Sequence, residues 1–143
     1  MDMTIPLWTL LAFATWTLLT LGTGVGISRW SRILTGRAKF QDFAEYEVKG
    51  PDIHRRGMRA HANCVENLPV FASLVLVASI ADLDRTAIDV LCVVVLAARV
   101  GQTTVHVAFE QTDAVVFFRS MFFNTQWLAM IAIAAVVAAS AIG

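Results

Sequence analysis

The sequence has little charge and few of the residues that build polar, soluble sites. Of its 143 residues only 15% are charged, whereas 57% are hydrophobic, and the mean hydropathy is +0.67. The ranges 5–27 and 120–143 hold no ionisable residue, and each is long enough to span a bilayer as a helix. The single tyrosine is Tyr46, which excludes any mechanism that needs a phenol in the later part of the chain. These absences leave little room for a soluble domain and predict an integral membrane protein.

Cysteine is also scarce, with only Cys64 and Cys92 present. They fall in opposite halves of the predicted membrane layer, so we predict no disulfide between them. We interpret each as a small packing residue. A nucleophilic Cys64 is the alternative, but the sequence places no general base beside it. We predict no metal site.

Apolar segments account for nearly the whole chain. Four spans are predicted within a single domain covering 1–143, at about 5–28, 54–81, 86–109 and 117–142. The apolar run from Leu68 to Ala81 would cover only about 21 Å as a helix, short of the roughly 30 Å hydrocarbon core. The second span must therefore extend backwards and carry Asn63 and Glu66 into the membrane. The predicted fold class is all-α, an integral membrane four-helix bundle.

Positive charge is concentrated in one region. Eight of the eleven lysines and arginines lie between Arg29 and Arg59. The positive-inside rule then predicts that the first loop is cytoplasmic and that both termini lie on the opposite side. The mixed-charge stretch 28–51 is predicted as a solvated loop or, alternatively, as a lid over a cytoplasmic pocket. Because this basic region sits between two spans, we expect anionic membrane lipid or a small anionic ligand as its partner, and no nucleic acid.

Two sets of polar side chains recur at helical spacing. The sets are Arg56, Arg59, Asn63 and Glu66 in the second span, and Arg99, Gln102, His106 and Glu110 in the third. Residues spaced in this way share one face of a helix. The fourth span begins near Arg119 and Ser120, and Gln126 lies two turns further on. Since spans two and four enter at the cytoplasmic side and span three leaves there, these groups should converge, and polar groups at such depth are candidates for a functional site.

A purely structural interpretation of the same residues stays open. Glu66 and Arg99 could form an ion pair between helices, with Asn63 and Gln102 as hydrogen-bonding partners. Arg119 could be a residue whose charged end reaches up to the membrane surface.

The segment from Arg59 to Phe71 closely resembles the helix-two signature of the MAPEG family, the membrane-associated proteins in eicosanoid and glutathione metabolism. The family pattern is Arg-Ala-x-x-Asn-x-x-Glu followed by Pro and Phe, and here it consists of Arg59, Ala60, Asn63, Glu66, Pro69 and Phe71. Chain length, four spans, the basic first loop and Arg119-Ser120 extend the resemblance. It implies a homotrimer that binds glutathione between neighbouring subunits near the cytoplasmic face. The implied activity is that of a glutathione-dependent transferase or peroxidase acting on lipophilic electrophiles.

The resemblance also implies roles for individual residues. Glutathione-binding positions are matched by Arg59, His61, Asn63 and Glu66. Arg119 matches the arginine that stabilises the glutathione thiolate, and Ser120 matches a neighbouring serine. A basic residue that ends helix one would be Lys39 or, alternatively, Arg37. Where family enzymes have Tyr or His and then a second Tyr, this chain has Gln102 and His106, of which we assign His106 to the glutathione site.

A second function, from a different class, fits the same composition. The chain could form a non-catalytic membrane trimer that binds lipid or a small anion, with a polar seam that only specifies assembly.

Overall fold

In the computed structural model, α-helices and one π-helical segment account for nearly all of the described residues, which are 3–37, 39, 52–83 and 86–142. The helices are α1 Ile5–Thr20, α2 Ile27–Leu34, α3 Asp52–Ile80, α4 Thr86–Ala108 and α5 Asp113–Ile142. Helices α1, α3, α4 and α5 contain segments long and apolar enough to cross a membrane: Ile5–Thr23, Ile53–Ile80, Thr86–Ala108 and Asp113–Ala141. Helix α5 packs along α4, while α1 packs against both α3 and α4. The chain is an all-α four-helix membrane bundle, which confirms the predicted fold class.

The first helix is longer than the sequence pattern predicted. A π-helical segment, Leu21–Gly26, joins α1 to α2 without a break, so the residues 28–34 expected in a loop are helical. Hydropathy falls at Ser28, but the apolar Ile27, Trp30 and Leu34 recur at helical spacing and can sustain a short amphipathic helix. The remaining part of the proposed lid, at 40–51, lies outside the described residues.

Helix α5 begins earlier than predicted, at Asp113 rather than near 117. Its start is fixed by Thr112, whose Oγ1 accepts a hydrogen bond from the Val115 N–H at 3.3 Å. A threonine in this position satisfies one of the free N–H groups of the first turn. Capping, rather than hydropathy, sets this boundary.

Helices α2 and α3 end in the same kind of left-handed turn. The turn residue is Gly36, with φ +67°, after α2 and Asp82, with φ 52°, after α3. In each case the residue that follows donates its N–H to the carbonyl five residues back, at 2.8 Å after α2 and 3.1 Å after α3. Glycine suits a positive φ because it has no Cβ, whereas aspartate adopts this conformation at a cost.

Gly101 packs closely against α5. A Cβ at this position would come within 2.8 Å of the Phe122 ring, so a larger side chain would require that ring to shift. The end of α4 and the start of α5 carry many of the candidate site residues.

Buried residues divide into an apolar end and a polar end of the bundle. The apolar end is formed by Phe71, Val75, Ile88, Val95 and Ile133, all fully buried. The polar end is formed by Arg99, Gln102, Thr103, His106 and Gln126, also buried.

Candidate functional site

Helix α3 presents the predicted motif on the outside of the single chain. Arg59 and Glu66 are exposed, while His61 and Asn63 are half-buried. Ala60 and Cys64, by contrast, are buried against the other helices. The signature therefore has one face for packing within the chain and another that the chain leaves uncovered.

The backbone around the motif is locally altered by a proline. Pro69 lies inside α3, and because it has no N–H it cannot donate to the carbonyl of Val65. Nearby polar side chains bond to backbone carbonyls: Asn67 Nδ2 donates to the Asn63 carbonyl at 2.7 Å, and Ser73 Oγ donates to the Pro69 carbonyl at 2.8 Å.

Helix α4 contributes a fully buried guanidinium to the polar end. Arg99 is 0% exposed, and its NH1 group donates to Gln102 Oε1 at 2.7 Å. The guanidinium carbon lies 5.7 Å from the centre of the Phe13 ring, an attractive cation–π arrangement. Arg99 Nε and NH2 have no hydrogen-bond partner among the described residues. Burying a cation with unused donors lowers the stability of the fold, so packing alone does not explain this arginine.

The ion pair between Arg99 and Glu66, which the alternative structural interpretation allowed, is not formed as a direct contact in the described part of the chain. Glu66 lies close enough for its charge to act on Arg99, but the hydrogen bond of the guanidinium goes to Gln102 on its own helix. The carboxylate of Glu66 is exposed. Glu66 is therefore available to another positive group.

Several positive charges surround one buried imidazole. The charges of Arg119, Arg59 and Arg56 all act on His106, and the charge of Arg59 also acts on Arg119. His106 is only 3% exposed, and neither of its ring nitrogens has a hydrogen-bond partner among the described residues. Residues of α3, α4 and α5 therefore lie close enough for their charges to interact. An electropositive site of this kind favours an anionic ligand.

Three other predicted residues are placed differently. His61 Nδ1 lies 3.4 Å from Thr20 Oγ1, so this ring contacts the first helix. Ser120 is exposed, and its Oγ donates to the Val116 carbonyl of the same helix at 2.9 Å. Lys39 is exposed, beyond the end of α2.

Buried polar residues of this end that were not predicted from the sequence include Thr103 and Thr20. Thr103 is buried, and its Oγ1 lies 3.6 Å from Cys64 Sγ; Thr20, which contacts His61, is also buried. Thr103 stands four residues after Arg99 and three before His106, so helical spacing could have identified it. Thr20 gave no such signal, because nothing in the sequence shows which face of the first helix meets α3.

The cysteines are unpaired, and both are buried. No group of three or more His, Cys, Asp or Glu side chains in the described ranges is arranged to hold a metal ion.

Comparison with protein families gives one decisive result. The model of the MAPEG family matches residues 5–139, which covers α1 to α4 and all but the last three residues of α5. The chain belongs to the MAPEG family. Searches of the curated proteins and of the solved structures gave no match.

Membership of the MAPEG family confirms the resemblance inferred from α3. It makes this chain a membrane protein of a family associated with eicosanoid and glutathione metabolism. The match covers the signature residues Arg59, Asn63 and Glu66 together with Arg119. The family assignment by itself specifies neither the reaction nor the residues that carry it.

Proposed function

We propose that this MAPEG protein is a glutathione-dependent transferase or peroxidase that acts on lipophilic electrophiles. The observation that carries the proposal is the grouping of Arg59 and Arg119 around the buried His106, with Glu66 nearby. These residues come from three helices, and their charges complement those of glutathione.

Each charged part of glutathione has a matching residue. The tripeptide carries two carboxylates and one ammonium group. Arg59 and Lys39 would bind the carboxylates through charge-assisted hydrogen bonds, and Glu66 would bind the ammonium. Asn63 would hydrogen-bond a peptide group, and His106, with both ring nitrogens unpaired among the described residues, offers a further contact. His61 would complete the site beside the ligand.

Arg119 is the proposed catalytic residue. A free thiol with a pKa near about 8.5 is mostly protonated at neutral pH, and a neighbouring guanidinium stabilises the thiolate, which is the nucleophile. In a transferase reaction, the sulfur forms a bond to the electrophilic carbon, and the leaving group departs with its electron pair. With a hydroperoxide, the sulfur attacks the terminal oxygen, the O–O bond breaks, and the alcohol leaves while glutathione becomes a sulfenic acid. The thiol of a second glutathione then attacks the sulfenic sulfur and displaces water, so that one hydroperoxide yields one alcohol, one water and one glutathione disulfide. Ser120 would assist as a hydrogen-bond donor beside the thiolate.

A homotrimer would cover the face of α3 that the single chain leaves open. Arg59 and Glu66 are exposed although they lie in the membrane segment Ile53–Ile80. Charged side chains inside a membrane face protein or water rather than hydrocarbon. We infer that neighbouring subunits cover these residues and that glutathione binds between them. Native mass spectrometry in mild detergent tests this, and a protein found only as monomer or dimer would contradict it.

We further propose that the first loop, within the basic region between Arg29 and Arg59, is cytoplasmic, so that glutathione enters from that side. The asymmetry of positive charge supports this orientation. A fluorescent protein that folds only in the cytoplasm, fused after Gly143, should stay dark. Fluorescence would contradict the orientation without affecting the fold.

Glutathione titration with the Arg119→Ala variant tests the chemistry directly. Wild-type protein should bind glutathione and develop the ultraviolet absorbance of a thiolate. In Arg119→Ala, turnover should fall much more than affinity, because the arginine acts mainly on charge that develops in the transition state. The thiolate absorbance should also require higher pH. Arg55→Ala, an exposed arginine at the start of α3, is the control and should retain wild-type turnover. The proposal fails if Arg119→Ala keeps both wild-type turnover and thiolate absorbance.

A non-catalytic trimer is the second candidate, and two contacts favour it. Arg99 bonds to Gln102 and Cys64 contacts Thr103, so part of the polar end is already used inside the chain. Gln102 and His106 also replace the aromatic residues of family enzymes. Protein that binds glutathione without forming a thiolate, or that does not bind it at all, would support this alternative.

A further inference from the structure

Thr20, the last residue of α1, meets α3 through its side chain. Its Oγ1 lies 3.4 Å from Nδ1 of His61, and Thr20 itself is buried. Both residues belong to segments long and apolar enough to cross a membrane, where polar groups depend on protein partners because water is scarce. This contact therefore determines which nitrogen of the imidazole carries hydrogen.

The hydroxyl of Thr20 has one hydrogen, and a carbonyl of its own helix already accepts it. Thr20 Oγ1 donates to the Thr17 carbonyl at 2.8 Å, which is much closer than the 3.4 Å to His61. A hydroxyl donates one hydrogen bond and accepts others through its lone pairs, so Thr20 can only accept from His61. If Nδ1 had no hydrogen, its lone pair would face a lone pair of the oxygen. Nδ1 must therefore carry the hydrogen and donate it.

This assignment makes the other ring nitrogen a hydrogen-bond acceptor. A neutral imidazole has one N–H, and the hydrogen bond made by one nitrogen determines the state of the other. With the hydrogen on Nδ1, Nε2 of His61 keeps its lone pair. Among the described residues, Nε2 has no hydrogen-bond partner. The ring is half-buried, so part of it remains open to a ligand.

We propose that Thr20 is a positioning residue, which holds His61 in the Nδ1–H form so that Nε2 accepts a hydrogen bond from a peptide N–H of glutathione. This inference rests on the proposed function, in which His61 lies beside the ligand. The other groups of glutathione fit less well. Its carboxylates and its thiolate have no hydrogen to donate, and Glu66 already matches its ammonium group. Thr20 thus determines which part of the tripeptide His61 can bind.

Nitrogen-15 NMR of histidine-labelled protein in detergent tests the assignment without glutathione. Spectra are recorded in alkaline solution, where imidazole is neutral, and the His61 signals are identified by their loss in His61→Ala. The wild type should show hydrogen on Nδ1 and none on Nε2. Thr20→Val removes the hydroxyl with little change of shape and should populate the Nε2–H form, whereas Thr20→Ser should keep the wild-type spectrum. The same tautomer in the wild type and in Thr20→Val would overturn the proposal.

Thr17→Val is the matched control. Thr17 is also a buried threonine of α1, and its hydroxyl donates to the Phe13 carbonyl of the same helix at 3.0 Å. The substitution therefore removes the same group one turn earlier, and the Nδ1–H form of His61 should remain. An equal spectral change in Thr17→Val and Thr20→Val would overturn the proposal, because the ring would then respond to the packing of α1 rather than to the Thr20 hydroxyl.

A double-mutant cycle tests the contact with glutathione. In isothermal titration, Thr20→Val should weaken glutathione binding about two- to tenfold, as expected for one neutral hydrogen bond, and Thr20→Ser should bind like the wild type. In His61→Ala protein, Thr20→Val should have no further effect, because the two residues act through one bond. A loss that persists without His61 would overturn the contact. If the wild type binds no glutathione, the proposed function and this contact both fail, and the NMR spectra alone determine whether Thr20 fixes the tautomer.

Discussion

The two ends of this bundle bury their residues for different purposes. At the apolar end the buried side chains form a hydrophobic cluster with partly buried apolar neighbours. The buried Thr9, in the first turns of α1, donates its hydroxyl to the Pro6 carbonyl at 2.8 Å. At the polar end, Arg99, His106 and Gln126 all keep buried nitrogen or oxygen atoms without partners among the described residues. Buried polar groups are normally hydrogen-bonded, and each exception requires an explanation.

The difference indicates that the apolar end maintains the fold, and it supports the proposal that the polar end binds the ligand. Leaving polar atoms unpaired costs stability, and such costs are typical of functional sites. The π-helical segment Leu21–Gly26 occurs at the same end, where Thr20 meets His61, and π-helical turns are frequent at functional sites. Substitutions at the apolar end should therefore lower stability more than ligand affinity. Substitutions at the polar end should lower ligand affinity more than stability.

The largest effect on stability is expected from Phe71→Ala. Phe71 is fully buried, and its ring lies 5.6 Å from that of Phe13. Truncation should lower the free energy of unfolding by about 3 kcal/mol, the lower limit for buried phenylalanine, because a cavity would remain. Denaturation by increasing detergent mole fraction in mixed micelles measures this. The control, Phe123→Ala, removes an exposed ring and should cost under about 0.5 kcal/mol; equal losses would mean that Phe71 does not anchor the fold.

At the polar end, substitutions should reduce ligand affinity rather than the free energy of unfolding. Glu66→Gln or Arg59→Ala removes one charge proposed to hold glutathione, and losing a charge-assisted hydrogen bond costs roughly 1.5–3 kcal/mol, or about 10- to 150-fold in affinity. Both residues lie outside the packed interior of the single chain, so without glutathione either substitution should lower the free energy of unfolding less than Phe71→Ala does. Isothermal titration with glutathione provides the measurement. Glu110→Gln, an exposed carboxylate beyond the end of α4, is the control, and an equal loss there would show a general charge effect.

The two ends also differ in how well the sequence predicted them. Hydropathy located the four membrane helices, since bilayer thickness imposes a minimum length of apolar chain. It missed α2, because an amphipathic helix has regular spacing without high hydropathy. Spacing identified Arg99, Gln102 and His106 as one face, and all three are buried. Spacing could not show that Glu66 would be exposed or that His61 would meet the first helix, since these depend on how each helix is rotated in the bundle.

Two opposite substitutions on α5, one from apolar to polar and one from polar to apolar, test this difference between the ends. Gln126 and Ile133 lie two turns apart on one face of this helix, and both are almost completely buried. Ile133→Gln would introduce an amide at the apolar end and should cost about 2 kcal/mol of stability, since a buried amide without a partner costs about 1–3 kcal/mol. Gln126→Met removes an amide whose nitrogen and oxygen both lack partners among the described residues, and it should leave stability unchanged or raise it.

Unfolding of the two variants and of the wild type in detergent measures both changes in the free energy of unfolding. If Gln126→Met lowers the free energy of unfolding as much as Ile133→Gln does, the Gln126 amide is hydrogen-bonded in the assembled protein. The polar end then has fewer unpaired polar atoms than the single chain shows.

The smallest effects are expected at the two left-handed turns, one at each end. Gly36→Ala places a Cβ where φ is +67° and should cost about 1 kcal/mol. Asp82→Gly relieves the same strain after α3, where φ is 52°, but glycine also makes the unfolded chain more flexible, which costs about 0.4–1 kcal/mol. The net change at Asp82 should therefore be below about 0.5 kcal/mol. Hydrogen exchange of the last turn of α2 and of α3 measures each turn locally. A loss at Gly36 no larger than the change at Asp82 would show that the α2 turn is held by contacts elsewhere rather than by its own backbone.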